Sequence, residues 1–236
     1  VHYASVALVA ARGGLEGVAW WAHTYFSMDS EDSLPTTYSI VMLALVAIVA
    51  AQLALSTRGT QRIGMGFISV VFAYLAWDEG ATIHERVGYF LQQRAEGDVE
   101  VAPYTWVVFG APLAILFGIV AIGLLRSLPK GVLVRMVVAG VIFLTGAVGM
   151  EIVASRLHLG GLTGETPAML ALTGVEEFLE MLGVAYFFVV LLGYRETVER
   201  AKGVRVVRDL VDVSDGGRAH TRRGDVDARG GGASVA

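Results

Sequence analysis

From Thr37 to Ser56 the chain runs TYSIVMLALVAIVAAQLALS without a single charge. At about 1.5 Å of rise per residue, such a stretch crosses the roughly 30 Å hydrocarbon layer of a bilayer as one helix. Once one segment is committed to lipid, its neighbours must satisfy their backbone polar groups in the same solvent, which restricts them to helices or a closed barrel. Four more stretches have the length for helices. They are Ile63 to about Trp77, running on into DEGATIHERVGYFLQQ; Tyr104 to Leu125; Val132 to about Ser155; and Ala168 to Tyr194. The expected fold is therefore all-α, a polytopic transmembrane helix bundle of five spans. Pro112 in the third span is tolerable because neighbouring helices can satisfy the carbonyl it frees.

Composition agrees. Charged residues make up 17% of the chain, against about 25% in soluble domains, so a soluble enzyme, a nucleic-acid binder and a disordered protein are excluded as the main reading. Without cysteine there is no disulfide, thiolate metal site or thiol nucleophile. Residues 1–35 form an N-terminal membrane segment. Arg12, Glu16 and the Gly13-Gly14 pair interrupt its apolar stretch, which favours an interfacial helix anchored by Trp20 and Trp21 over a sixth span. Residues 36–194 form the five-helix domain. Residues 195–236, with nine Lys or Arg against seven acids and a Gly-rich end, read as a largely disordered cytoplasmic tail.

Charge asymmetry sets the orientation. The loop after the first span holds Arg58 and Arg62, and the loop after the third holds Arg126 and Lys130, with Arg135 just inside the next helix; neither loop has an acid. The positive-inside rule puts these loops and the C-terminus in the cytoplasm of a bacterial plasma membrane. The loops around Glu96 to Glu100 and His158 to Thr166 then face outward, with His158 read as a solvated loop histidine beside Gly160-Gly161.

Seven acids lie in or at the ends of these helices: Asp78, Glu79, Glu85, Glu151, Glu176, Glu177 and Glu180. Counted from the cytoplasmic bases, Asp78 stands about 24 Å from Arg62, Glu151 about 31 Å from Lys130, and Glu180 and Glu176 about 22 and 29 Å from Arg195. Three helices thus bring carboxyls to one level, the extracytoplasmic third of the bilayer. On straight helices Asp78, Thr82 and Glu85 share a stripe, His84 flanks it, and Glu176, Glu177 and Glu180 share a face. A central charge costs about 2.5–3.5 kcal/mol on insertion scales, so such residues belong to an interior or a wet cavity.

Against these seven acids stand Arg86 and Arg156 at the same level. A bound cation, or protons held on the carboxyls, would relieve the excess. Asp78, Glu79, His84, Glu85, Glu151, Glu176, Glu177 and Glu180 are accordingly candidate ligands for a divalent metal, which would serve hydrolytic or redox chemistry on a lipid or small molecule. The alternatives are a non-catalytic subunit or sensor whose acids meet a protein partner, and a proton or cation transporter. The last is disfavoured by the apolar cytoplasmic half, where Gln52 and Ser69 are among the few polar residues. Neither Glu-x-x-His nor His-Glu-x-x-His occurs, and there is no nucleophile elbow or phosphate-binding Gly loop.

Three blocks, SMDSEDSLPTTYS (27–39), YLAWDEGATIHERVG (74–88) and GVEEFLEMLGVAYF (174–187), carry a resemblance. In order and spacing they resemble a family of uncharacterised bacterial multi-pass membrane proteins with an acid-x-x-x-Pro segment, a DE-x-x-x-x-HE block and an EE-x-x-E-M-x-G block. The resemblance covers about residues 27 to 190. It implies site positions and no reaction. Members of that family have a clear apolar span before the first block, where this chain carries Arg12 and Glu16.

Overall fold

The computed structural model describes residues 25–26, 33–94, 106–162 and 166–228. The interfacial reading of the N-terminal segment, residues 27–32 of the first sequence block and the Glu96 to Glu100 loop lie outside these residues. The chain divides into two units, residues 1–193 and 194–236. Every regular element among the described residues is helical.

The first helix, α1 (Leu34–Ser56), starts where Ser33 accepts the Thr36 N–H at 3.3 Å and Pro35 fills the first turn. A hydroxyl cap with proline just inside the start satisfies one orphan donor and removes another. The helix stops at Thr57, whose N–H and hydroxyl both donate to the Leu53 carbonyl, at 2.9 and 2.8 Å. Only Thr57 and Arg58 separate it from α2 (Gly59–Ala81), so the two lie antiparallel. Between them the Ser69 hydroxyl donates to the Ala47 carbonyl at 2.9 Å, and Ile40 lies against Gly80.

Beyond α2 come α3 (Ile83–Arg94), α4 (Val107–Leu125) and α5 (Lys130–Leu144), then a π-helical turn (Thr145–Met150), α6 (Glu151–Leu159) and α7 (Pro167–Ala228). Helix α4 joins α2 through an edge-to-face pair of Phe67 and Phe117, with ring centroids 5.9 Å apart. On α7, Gly183 lies so close to α5 that a Cβ there would stand 2.6 Å from the Phe143 nitrogen. Phe187 then stacks on Phe72 at 4.8 Å.

Among the described residues, three helices are long and apolar enough to cross a membrane: α1, α4 and the run Lys130–Leu159 through the π turn. Their outward faces carry Val41, Ile48, Phe109, Ile115, Ile119 and Val141, all exposed as lipid-facing residues are. Gln61 donates to the Ser127 carbonyl at 3.1 Å, and Gly64 meets Leu125. The two acid-free basic loops therefore meet at one end of the bundle.

One local expectation changes. His158 stands on the last turn of α6 rather than in a loop, because that helix continues to Leu159 and ends at Gly160. There it and Arg156 complement the negative end of the helix dipole. Helix α7 continues to Ala228, and past its apolar stretch it carries the i,i+4 pairs Arg195–Glu199 and Glu196–Arg200.

Candidate functional site

The DEGATIHE block works first as a helix break. Thr82 ends α2 in the left-handed conformation, φ 49° and ψ 42°. A β-branched residue rarely enters that region, which costs of order 1–3 kcal/mol and is met where the surroundings impose it. Asp78 is the surrounding that matters. Its Oδ1 accepts the His84 backbone N–H at 3.1 Å, an orphan donor at the start of α3, and its Oδ2 accepts the His84 ring Nδ1–H at 2.8 Å. Arg86 donates to the Thr82 hydroxyl at 3.2 Å and braces the bend.

A carboxylate only accepts, so the Nδ1 proton is fixed and Nε2 is left for other work. Burial pushes the pKa of His84 down, but the hydrogen bond and charge of Asp78, with Glu85 and Glu79 beyond, outweigh it and hold the imidazole above its ordinary range. The bend also undoes the expected stripe. Because the helix breaks at Thr82, Asp78 and Glu85 no longer share a face, and Glu85 ends on the exposed edge.

Across from this bend stands Trp106, at the start of α4. Its indole N–H donates to Glu151 Oε1 at 2.7 Å, and its ring lies 5.1 Å from that of His84. The indole folds back against Gly110, where any side chain would displace it. By sequence, Trp106 reads as an interfacial belt residue. Nothing in spacing alone marks it as a carboxyl's partner, since the contact spans 45 positions.

Glu151 is 9% exposed and comes directly after the π turn. A π turn adds a residue to the helical ladder and swings the succeeding residues to a new face, and such turns occur frequently at functional sites. Here the turn serves a second end. Gly146 within it lies so close to α7 that a Cβ would come 2.8 Å from the Glu176 carbonyl and 2.9 Å from Glu180 Cγ. This close approach brings Glu176 within hydrogen-bonding reach of Glu151, and Glu180 into the electrostatic range of Glu79, Glu151, Glu176 and Glu177. A hydrogen bond between two carboxyls requires a proton on one of them.

The structure thus gathers Glu79, Glu151, Glu176, Glu177 and Glu180 from three helical segments. Asp78 joins only through His84, and Glu85 contributes charge from the rim. Among the described residues no three His, Asp or Glu side chains converge closely enough to hold a metal ion. Both Asp78 oxygens are engaged by His84, and Glu151 Oε1 by Trp106. The arrangement offers instead a concentration of carboxyls beside an oriented imidazole.

The model of the family described as Domain of unknown function (DUF8692) matches residues 4–193. No curated protein and no solved structure matches the sequence. The matched stretch is most of the chain and contains every residue of the cluster, so the protein belongs to the family of the domain of unknown function DUF8692.

Proposed function

We propose that this is a five-span membrane protein whose extracytoplasmic end binds a cation in exchange for protons, acting as a receptor or sensor. Helix α2 and the part of α7 up to Gly193 supply the two spans beyond the three that qualify by length and apolarity. The paired basic loops favour an orientation with the opposite end, and its carboxyls, outside the cytoplasm; the family resemblance favours a bacterial plasma membrane. One observation carries the reading. Carboxyls from three helical segments converge, and among the described residues no Lys or Arg forms an ion pair with Glu79, Glu151, Glu176 or Glu180. Uncompensated charges at low dielectric repel strongly, so protons or an entering cation must neutralise them.

Conduction is disfavoured because the space beneath the cluster is lined by apolar side chains and glycines alone. The test is calorimetry on the protein in nanodiscs, with Mn²⁺, Zn²⁺ and methylammonium in buffers of different ionisation enthalpy. Binding should release protons and be lost when Glu176→Gln and Glu180→Gln are combined. Binding indifferent to pH and to both substitutions would overturn the reading. A divalent metal retained at one per chain through purification, and lost from the double variant, would establish instead the metal centre with hydrolytic or redox chemistry.

A further inference from the structure

Beneath the carboxyls lies a cavity of about 260 Å³ between α2, α4, α5 and α7. Phe67, Phe72, Phe117, Phe143, Val184 and Phe187 furnish its walls. Its lining reaches to within one helical turn of the acids. Leu75 lines the cavity one turn before Glu79 on α2, and Gly183 lines it one turn after Glu180 on α7. Leu144 lines it immediately before the π turn whose Gly146 touches Glu180. Residues four or three apart stand on one helix face, so the apolar wall runs continuously into the carboxyls.

We infer that the ligand of this site is a single-chain alkylamine, its ammonium at Glu180 and its hydrocarbon chain in the cavity; the inference rests on the cation-binding reading above. Charge complementarity selects the head. An ammonium has three donors for a group of acceptors, and a phosphate-bearing lipid head would bring its own negative charge against theirs. On α1 the Ser39 hydroxyl is 4% exposed and without a hydrogen-bond partner among the described residues. Ser39 adjoins Ile40, which packs on Gly80 and so stands level with Glu79. Volume selects the tail. At about 30 Å³ for a water-sized group, the cavity takes a chain of roughly eight or nine carbons. Helix α4 buries only Val107 and Leu125 along its length, so the cavity sits beneath a single outward-facing helix, within reach of a molecule already dissolved in the bilayer.

The chain gains little on moving from lipid into an apolar cavity, because the two media are alike. Selectivity therefore lies in the head, and the cavity acts by admitting or excluding the tail. The test compares octylammonium, methylammonium and 1-octanol on the full chain in nanodiscs of zwitterionic lipid. Octylammonium should bind in preference to octanol, and Glu180→Gln should weaken it about ten-fold to a hundred-fold, the range of a charge-assisted hydrogen bond. Gly118 and Gly140 line the cavity, and a Cβ at either would have nothing within 4 Å, so Gly118→Leu and Gly140→Leu are two independent ways to fill it. Each should abolish octylammonium binding and leave methylammonium binding intact. Octylammonium binding that survives both filled variants overturns the placement of the tail, and equal binding of octanol overturns that of the head. Loss of methylammonium binding to the wild type as well would mean that the cation-binding reading itself has failed.

Discussion

Asp78 performs two tasks with one carboxylate, starting α3 and fixing the His84 ring. The consequence for pH comes from the raised pKa of His84. A group whose pKa rises on folding contributes stability that is complete below its unfolded value, near about 6.5 for histidine, and is lost as pH climbs through the folded value. Asp78→Asn removes the charge and one acceptor. We expect His84 in that variant to titrate at lower pH than in the wild type, and the thermal stability to lose its decline above neutrality. Histidine-labelled NMR titration checks the first, and a titration curve unmoved by the substitution would contradict the assigned pair. Spacing made His84 visible as a neighbour of the acids. It could not show that Asp78 and His84 belong to each other, because a straight helix separates residues six apart by most of a half-turn, and only the left-handed Thr82 closes that gap.

At the scale of the element, counting from the basic loops put the acids near one level, and the helices bearing Asp78, Glu79 and Glu176 start close to where apolarity starts, while α7 runs on far past its apolar stretch. The face on which Glu151 emerges was not readable. An extra residue in a hydrogen-bond ladder leaves no mark in composition, so a uniform helix was the only geometry the sequence offered. Gly146 and Gly149 read alike as sites of close helix contact; Gly146 alone makes it, while Gly149 meets only its own helix. Deleting Ala147 should convert the π turn to regular α-helix and rotate Glu151 by about 100°. In a protein whose other tryptophans are replaced by Phe, Trp106 fluorescence should then report loss of the indole–carboxyl bond. An unchanged emission maximum would argue against the bond. Gly146→Ala, which drives a methyl toward the Glu176 backbone, should lower stability by about 1–3 kcal/mol, the usual range for overpacking.

For the whole molecule, the hydrogen bond from Gln61 to Ser127 sets both basic loops at the same end, as the positive-inside rule requires of loops on one side of a membrane. The chain's lack of cysteine makes this directly testable. Cysteine substituted at Thr57 or at Ser127 should react with a membrane-impermeant maleimide only after lysis. Reaction of either in intact cells would reverse the orientation and place the carboxyls in the cytoplasm. Composition was enough to read an all-helical membrane fold; the pairing of particular helices was hidden because apolar faces of similar sequence carry little information about their neighbours.

The two-residue link between α1 and α2 also bears on how the chain enters the bilayer. Helix α2 ends in Asp78 and Glu79 and is not among the helices apolar enough to cross unaided, whereas α1, with mean hydropathy 2.4, is. Thr57 and Arg58 are too short a tether for the two to partition separately. On the five-span reading proposed above, helix α1 acts as the carrier that draws its weaker neighbour across, and the Ser69–Ala47 bond fastens the pair once both are in lipid. The acids are delivered to the far side by a helix that bears none of them.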